Sequence, residues 1–189
     1  LPYTVPNVGE RVKEFGEIAD SAKGAKHLAM LKADLDNLGA VFSFGLGEAL
    51  SVSRYASLSR SLDFFFSGLV RDLIEHDENY LNIYSVFSGG DDLCVIGPWD
   101  EIIDLAGKVQ GELRRYVGMN NQLTISAGIA LAGRSLPVKR IAEEAETELQ
   151  AAKECPGKNA VTIFGTTLSW VEFDSLVSAM NLLAFALIG

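Results

Sequence analysis

Residues 84–96 read YSVFSGGDDLCVI, and this stretch decides the fold that the rest of the chain supports. An apolar run arrives, two glycines turn the chain, two aspartates follow, and a second apolar run leaves, which is the pattern of a β-hairpin. The hairpin carries Asp91 and Asp92 at its tip, where adjacent carboxylates repel each other unless a cation lies between them. Magnesium, which prefers oxygen ligands and accepts phosphate as a co-ligand, suits such a tip. A surface turn without chemistry is the simpler alternative for this motif taken alone.

A second strand that ends in acidic residues favours a functional site over a plain surface turn. Residues 28–33 are mostly apolar and lead directly into DLDNLG at positions 34–39. A strand that delivers Asp34 beside Asp91 and Asp92 would complete a phosphoryl-transfer site with divalent cations, Mg²⁺ or Mn²⁺. The two acidic segments together therefore predict a metal-dependent site.

Other polar segments are candidates to contact a nucleotide. After residue 36 the chain becomes helical, and unpaired amides at a helix start favour phosphate, which makes candidates of Asn37, Leu38 and Gly39. Ser57 and Arg60 share a face of a helix predicted over 53–76, where they serve either as a solvated face or as a base or ribose contact. Lys153 ends a later helix, where it either stabilises the helix C-terminus or reaches the β- and γ-phosphates.

Hydrophobic periodicity predicts an α+β fold. Helices are expected near 12–22, over 53–76 and 101–117, and after Pro137, and strands near 27–34, 80–87, 93–97, 123–131 and 160–164. This order corresponds to a sheet with its helices packed on one face, built around a βαββαβ core.

Composition narrows the classes of function. The chain has 189 residues, is 48% hydrophobic and carries a net charge of −9, which describes one soluble domain and argues against a free-standing nucleic-acid binder. Cys94 and Cys155 are expected to be reduced, and without a Cys-x-x-Cys pair a structural zinc site is not predicted. With no signal peptide or membrane span visible, we expect a cytoplasmic protein. The start at Leu1 and the apolar end suggest a piece of a longer polypeptide.

Five sequence motifs lie at residues 31–39, 53–60, 84–92, 95–100 and 126–129. Together and in this order they resemble the second palm domain of the large polymerase-like subunit of type III CRISPR–Cas effector complexes, in the Csm branch. The resemblance implies a ferredoxin-like palm of the polymerase and nucleotidyl cyclase type, with an antiparallel sheet. It also implies an irregular lead-in at 1–26, a GGDD palm at 27–165, and the start of a truncated C-terminal helical domain at 166–189.

The same resemblance implies a prokaryotic, metal-dependent cyclic oligoadenylate synthase that uses ATP. The 3′-hydroxyl of one ATP attacks the α-phosphorus of another between paired palms, when target RNA is bound to the complex. The implied partners are other Csm-type subunits and a first palm of the same full-length chain, with CRISPR RNA and target RNA reached through the complex. A single palm supplies half of such a site, so we expect the chain alone to bind ATP but to make little or no cyclic product.

Carried over by position, the resemblance assigns roles to particular residues. Asp34, Asp91 and Asp92 would be catalytic and would hold the metal, with the carbonyl of Leu35 as a further ligand. The nucleotide-binding set implied by position is Asp36, Asn37, Leu38, Gly39, Ser57, Arg60, Ser88, Gly89, Gly90 and Lys153.

Three other functions stay open from the sequence. A diguanylate cyclase is the first, because Lys153 and the Gly157–Asn159 segment are similar to the nucleotide-binding end of those enzymes. Asp92-Leu93 nevertheless stands where that family has Glu-Phe, and a preference for GTP would identify it. A catalytically inactive palm that serves assembly is the second, and a nucleic-acid polymerase, disfavoured by the acidic charge, is the third.

Overall fold

A six-stranded sheet with helices on both faces forms the body of the protein. The structure is a computed structural model that describes residues 5–9, 11–45, 51–133 and 136–188. In chain order the elements are β1 (Asn7–Val8), β2 (Arg11–Val12), α1 (Phe15–Asp20), β3 (His27–Leu35), α2 (Leu38–Ala40), a π-helical turn (Val41–Gly45), α3 (Val52–Phe64), a π-helical segment (Phe65–Val70), α4 (Arg71–His76), a 3₁₀ turn (Glu78–Tyr80), β4 (Tyr84–Gly89), β5 (Asp92–Pro98), α5 (Trp99–Tyr116), β6 (Ile125–Gly133), α6 (Val138–Glu154), β7 (Ala160–Ile163), β8 (Thr166–Ser169) and α7 (Trp170–Ile188).

The strand order confirms the predicted α+β fold with a βαββαβ core. The large sheet runs β4-β5-β3-β6-β7-β8, and every neighbouring pair is antiparallel except β6 and β7. The first four strands in this order belong to the core, with α3 crossing from β3 to β4 and α5 crossing from β5 to β6. The parallel pair β6–β7 is joined by α6, as parallel neighbours require a crossover. β3 therefore lies at the centre, and its C-terminal end meets the tip of the β4–β5 hairpin.

Helices cover both faces of the sheet, and the predicted one-face arrangement holds for the two crossover helices of the core, α3 and α5. Ala29 and Leu31 of β3 belong to the main core cluster, which contains α5 residues and the π-helical segment Phe65–Val70. Leu28 and Met30 belong to a second cluster, which contains residues of α1 and α6. Successive side chains of a strand point to opposite faces, so these two clusters lie on opposite sides of the sheet. The side chains on both faces of β3 are mostly apolar, so the strand can pack against a helical layer on each side.

The contact between α6 and β6 is unusually close. A β-carbon added at Gly128 would lie 2.1 Å from the backbone nitrogen of Leu149 and 2.4 Å from the carbonyl oxygen of Ala145. No side chain fits in that space, so glycine is what allows the backbone of α6 to rest on the strand. This contact sets the height of α6 over the sheet and hence the position of Lys153 in its last turn.

The segments that flank the palm contain elements that the sequence did not predict, the β1–β2 ribbon and β8. α1 lies within the helix predicted near 12–22, and its Ile18 and Ala19 are buried. β8, which was not predicted, pairs with β7, and Trp170 at the start of α7 is buried and donates from Nε1 to the Ile125 carbonyl oxygen at 2.9 Å. The domain division at residue 166 stays a prediction, with β8 and the first turn of α7 packed on the palm. Among the described residues, no helix is long and apolar enough to cross a membrane.

Candidate metal and nucleotide site

Two of the predicted carboxylates meet at the C-terminal end of the central strand β3. Asp34, near the end of β3, is directly opposite Asp92, the first residue of β5. The two side chains share a hydrogen bond, although Asp92 is also exposed to solvent. Partial burial, this hydrogen bond and the negative charges of Asp34 and Asp91 raise the pKa of Asp92 to about 6, and Lys153 only partly offsets them. A cation placed beside Asp92 would favour its ionised form and lower this pKa.

Lys153 supplies part of that positive charge from α6, the helix that covers this face of β3. Its Nζ lies 2.6 Å from Oδ2 of Asp34, and both side chains are largely buried, at 24% and 20% exposure. Lys32, two residues before Asp34 and on the same face of β3, pairs in the same way with Glu146 of α6 at 2.9 Å. The sequence left Lys153 either at the helix C-terminus or at a phosphate, and the resemblance implied nucleotide binding. In the structure Lys153 pairs with the metal-ligand candidate Asp34.

Asp91 lies in the turn beside this pair. Its carbonyl oxygen accepts the Leu35 amide at 3.1 Å, which brings the backbone of Leu35 against the hairpin tip. Over the described parts of the chain, no three His, Cys, Asp or Glu side chains are arranged to hold a metal ion. The predicted set of three carboxylates is therefore not assembled as one cluster; Asp34 and Asp92 form a pair, and Asp91 acts on Asp92 through its charge.

The side chain of Asp36 points into the body of the protein. It is fully buried and accepts hydrogen bonds from Thr124 Oγ1 and Ser126 Oγ, each at 2.8 Å, and from the Asn159 amide at 3.0 Å. Three donors satisfy the buried carboxylate, as its burial requires. Asp36 therefore joins β3 to β6 and to the loop that follows α6. Its side chain is not available to a nucleotide, which corrects the sequence interpretation.

The two-glycine turn is held from the side by the long helix. Gly90 has a φ of 66°, a value that suits glycine at the first position of a two-residue hairpin loop. Its amide donates to Oδ1 of Asp63 on α3 at 2.8 Å. Ser88 is buried, and its hydroxyl donates to the carbonyl oxygen of Phe66 at 2.7 Å, so its side chain too is engaged within the protein. The sequence missed Asp63, although its spacing of three from Arg60 puts both residues on one helical face.

The remaining candidates keep accessible positions. A helix begins at Leu38 as predicted, with Asn37 in the left-handed region at a φ of 58° and open space around Gly39. Ser57 and Arg60 share a face of α3, where Arg60 Nη2 donates to Ser57 Oγ at 3.4 Å. These groups lie on the elements that leave β3 and approach the hairpin, so the predicted nucleotide contacts stay predictions with consistent geometry.

A separate concave feature lies away from this pair. A cavity of about 440 Å³ is bordered by α5, α7 and the 3₁₀ turn, with Tyr80, Glu101, Asp104 and Val177 among its lining residues. We nevertheless assign the site to Asp34 and Asp92, because apposed carboxylates, a facing lysine and a glycine turn occur together there.

A family model covers the part of the chain that carries this site. The model of the second palm domain of Cas10/Cmr2 matches residues 27–162, from the start of β3 into β7. This chain belongs to that family. The Cas10/Cmr2 second palm domain thus accounts for the whole βαββαβ core together with the Asp34–Asp92 pair and Lys153.

Known relatives of this Cas10/Cmr2 palm are larger proteins. A CRISPR system single-strand-specific deoxyribonuclease Cas10/Csm1 of subtype III-A from Methanocaldococcus jannaschii is 33% identical over 92% of this chain, which covers 25% of that protein. A Csm1–Csm4 cassette crystallised with AMPPNP matches 92% of this chain with a TM-score of 0.81 and 28% identity. A Csm1–Csm4 cassette in complex with cA3 matches 93% with a TM-score of 0.82 and 27% identity. In each structure the match covers 27% of the solved chain.

Proposed function

We propose that this domain is the nucleotidyltransferase palm of a type III effector subunit, and that it makes cyclic oligoadenylate from ATP. The observation that carries the proposal is the Asp34–Asp92 pair with Lys153 beside it, at the meeting of β3 and the hairpin. Similar chains have been crystallised with AMPPNP and with cA3, which supports ATP as substrate and a cyclic adenylate as product.

Asp34 and Asp92 fit a divalent cation, Mg²⁺ or Mn²⁺, because they form a carboxylate pair with a raised pKa at Asp92. When bound, the cation would supply charge neutralisation at the triphosphate and make the 3′-hydroxyl more acidic. Asp91 adds negative charge next to the pair, and the Leu35 carbonyl is a further candidate ligand.

Lys153 has a second task in this proposal. Its ammonium pairs with Asp34. If a cation neutralised Asp34 instead, Lys153 would be available to contact the β- and γ-phosphates of ATP as a point charge.

The nucleotide would extend from the carboxylates along the hairpin towards α3. The backbone of 37–39 and of Ser88–Gly90 would line it, because the side chains of Asp36 and Ser88 are engaged elsewhere. Ser57 and Arg60 would face the base. The reaction forms a bond from the 3′-oxygen to the α-phosphorus and releases pyrophosphate, and positioning with charge neutralisation supplies most of its catalysis.

The proposed setting is the full-length subunit within a type III effector complex. A first palm of the same chain would complete the two-ATP site, and other Csm-type subunits would bring CRISPR RNA and target RNA to the complex. Crystallised cassettes of similar chains contain Csm4, which supports this choice of partners. This chain spans about a quarter of the length of the relative from Methanocaldococcus jannaschii.

The test begins with calorimetric titration of the chain with ATP and with GTP in the presence of Mn²⁺. We expect ATP to bind more tightly than GTP, and the Asp34→Asn, Asp92→Asn double variant to lose at least about tenfold in ATP affinity, since both cation ligands lose their charge. Glu143→Gln is the matched control, because Glu143 is an exposed carboxylate of α6 that pairs only with Lys139 among the ion pairs of the described residues.

A second step uses the full-length subunit in its complex, with target RNA and labelled ATP. Cyclic oligoadenylate that depends on Asp34 and Asp92 is the expected product. A preference for GTP would instead identify a diguanylate cyclase. ATP binding without any turnover in the activated complex would contradict the synthase and favour an assembly role.

A further inference from the structure

An aspartate that the sequence did not single out holds the catalytic hairpin. Asp63 lies in the last turn of α3, at the junction with the π-helical segment Phe65–Val70, and its Oδ1 accepts the Gly90 amide at 2.8 Å. Aspartate is a poor helix former, so its place within a continuous helical stretch has a tertiary reason. The contact joins residues 27 positions apart in the chain.

A second hydrogen bond ties the same two elements together. Ser88 Oγ donates to the carbonyl oxygen of Phe66 at 2.7 Å in a buried setting. Phe66 lies within the π-helical segment, and such segments are frequent at functional sites, where they change the helical register. The hairpin is therefore fastened to the helix on both sides of Gly89, through Ser88 and through Gly90.

The helical face that carries Asp63 also carries the candidate base contacts. Ser57, Arg60 and Asp63 follow each other at intervals of three residues, so they lie on one face of α3. From Ser57 to Asp63 the helix rises about 9 Å. The helix thus spans from the region proposed for the base to the turn that carries Gly90.

We propose that Asp63 is a positioning residue for nucleotidyl transfer. Its hydrogen bond fixes the Gly89–Gly90 turn against α3. The position of this turn then sets the position of Asp92 relative to a nucleotide that lies along the helix. This inference rests on the proposed function, because it names what orients that site. The role belongs to the oxygen of Asp63 as a hydrogen-bond acceptor and not to its negative charge.

The acceptor role separates two substitutions. Asp63→Asn keeps an oxygen that can accept the Gly90 amide, whereas Asp63→Ala removes it. Asp72→Ala is the matched control, because Asp72 is an exposed carboxylate of the following helix α4 that pairs with His76. Ser88→Ala removes the second fastening and is expected to act in the same direction as Asp63→Ala.

The experiment combines hydrogen exchange with kinetics on the full-length protein in its complex. Exchange of the peptide that contains Gly90 is followed by mass spectrometry, and ATP turnover is followed with target RNA and Mn²⁺. In Asp63→Ala we expect about tenfold faster exchange at this peptide, because the acceptor of the Gly90 amide is lost. We also expect about a tenfold loss of kcat with a smaller change in KM, since the turn places the reacting groups. Asp63→Asn should stay within about threefold of the wild type in both measurements.

Each other outcome decides against part of the inference. Unchanged exchange and turnover in Asp63→Ala would overturn the hydrogen bond as a fastening. Faster exchange with unchanged turnover would keep the fastening and overturn the positioning role. Equal losses in Asp63→Asn and Asp63→Ala would assign the effect to charge. A wild-type complex without turnover would refute the proposed function and with it the positioning role, while the exchange data would still decide whether Asp63 holds Gly90.

Discussion

At the residue scale, the charge balance around Asp92 governs what the site can bind. Asp34 is matched by Lys153 at 2.6 Å, whereas Asp92 faces two other carboxylates and holds its proton with a pKa of about 6. A divalent cation competes with that proton for the same oxygens. Metal affinity should therefore rise with pH up to and through about 6.

The corresponding prediction concerns Asp92→Asn without added metal. The pKa of Asp92 is higher in the folded state than in the unfolded chain, so its ionisation destabilises the fold, beginning near pH 4 and completely above about pH 6. At pH 7 the variant should melt higher than the wild type, by no more than about 2–4 °C because the exposed side chain is screened by solvent.

Thermal unfolding at several pH values, with and without Mn²⁺, checks this prediction. The advantage of the variant should shrink as the pH falls below about 5, and Mn²⁺ should stabilise the wild type much more than the variant. A variant that melts lower than the wild type at pH 7 in the absence of metal would contradict the assignment.

At the element scale, helix α6 is fixed to the sheet by backbone contact. Gly128 leaves no room for a β-carbon beneath Ala145 and Leu149, so the helix rests directly on β6. Because Lys153 extends from the last turn of the same helix to Asp34, the position of this helix decides whether that ion pair can form. The contact between Gly128 and α6 therefore also affects the position of Lys153 at the site.

The prediction at this scale is that Gly128→Ala destabilises the protein strongly. A methyl group at 2.1 Å from a backbone nitrogen forces the helix to move, and overpacking of this kind costs about 3 kcal/mol or more. Gly111→Ala on α5 is the control, since its β-carbon meets open space and alanine favours helix by up to about 1 kcal/mol. Urea denaturation should show opposite signs for the two variants, and equal stabilities would refute the close contact.

At the scale of the whole molecule, the C-terminal segment is part of the palm's packed body at its start. Trp170 is 4% exposed and Phe173 is 2% exposed, and both belong to the main core cluster. Further along α7, Leu182 and Leu183 are exposed. The helix therefore begins inside the core and continues beyond it.

Trp170→Ala tests this integration. Loss of the ring and of its hydrogen bond to Ile125 should lower the free energy of unfolding by about 3–5 kcal/mol, as truncation of a buried aromatic does. Leu182→Ala, on the exposed part of the same helix, should change it by less than about 0.5 kcal/mol. Chemical denaturation followed by circular dichroism measures both. A Trp170→Ala variant with unchanged stability would favour a separate C-terminal domain from residue 166 onward.

The sequence by itself determined the local features. The GGDD hairpin, the alternation of β6, the helix over 53–76 and the start of a helix at Leu38 follow from turn chemistry and periodicity, which act within a few residues. The same reasoning brought Asp34 towards Asp92, because both stand at strand ends of a predicted antiparallel core.

Only the tertiary structure decided which polar groups face the site and which support it. Asp36 was taken for a nucleotide contact, yet it is buried by partners that follow it by 88 to 123 residues. Asp63 was not singled out from the sequence, and its partner Gly90 comes from the hairpin. The second helical layer over β3 was also missed. Apolar residues at successive positions of β3 indicate that both faces of the strand are covered, but they do not indicate which helices cover them. Contacts between distant segments depend on how the layers stack, and periodicity along the chain carries no information about that.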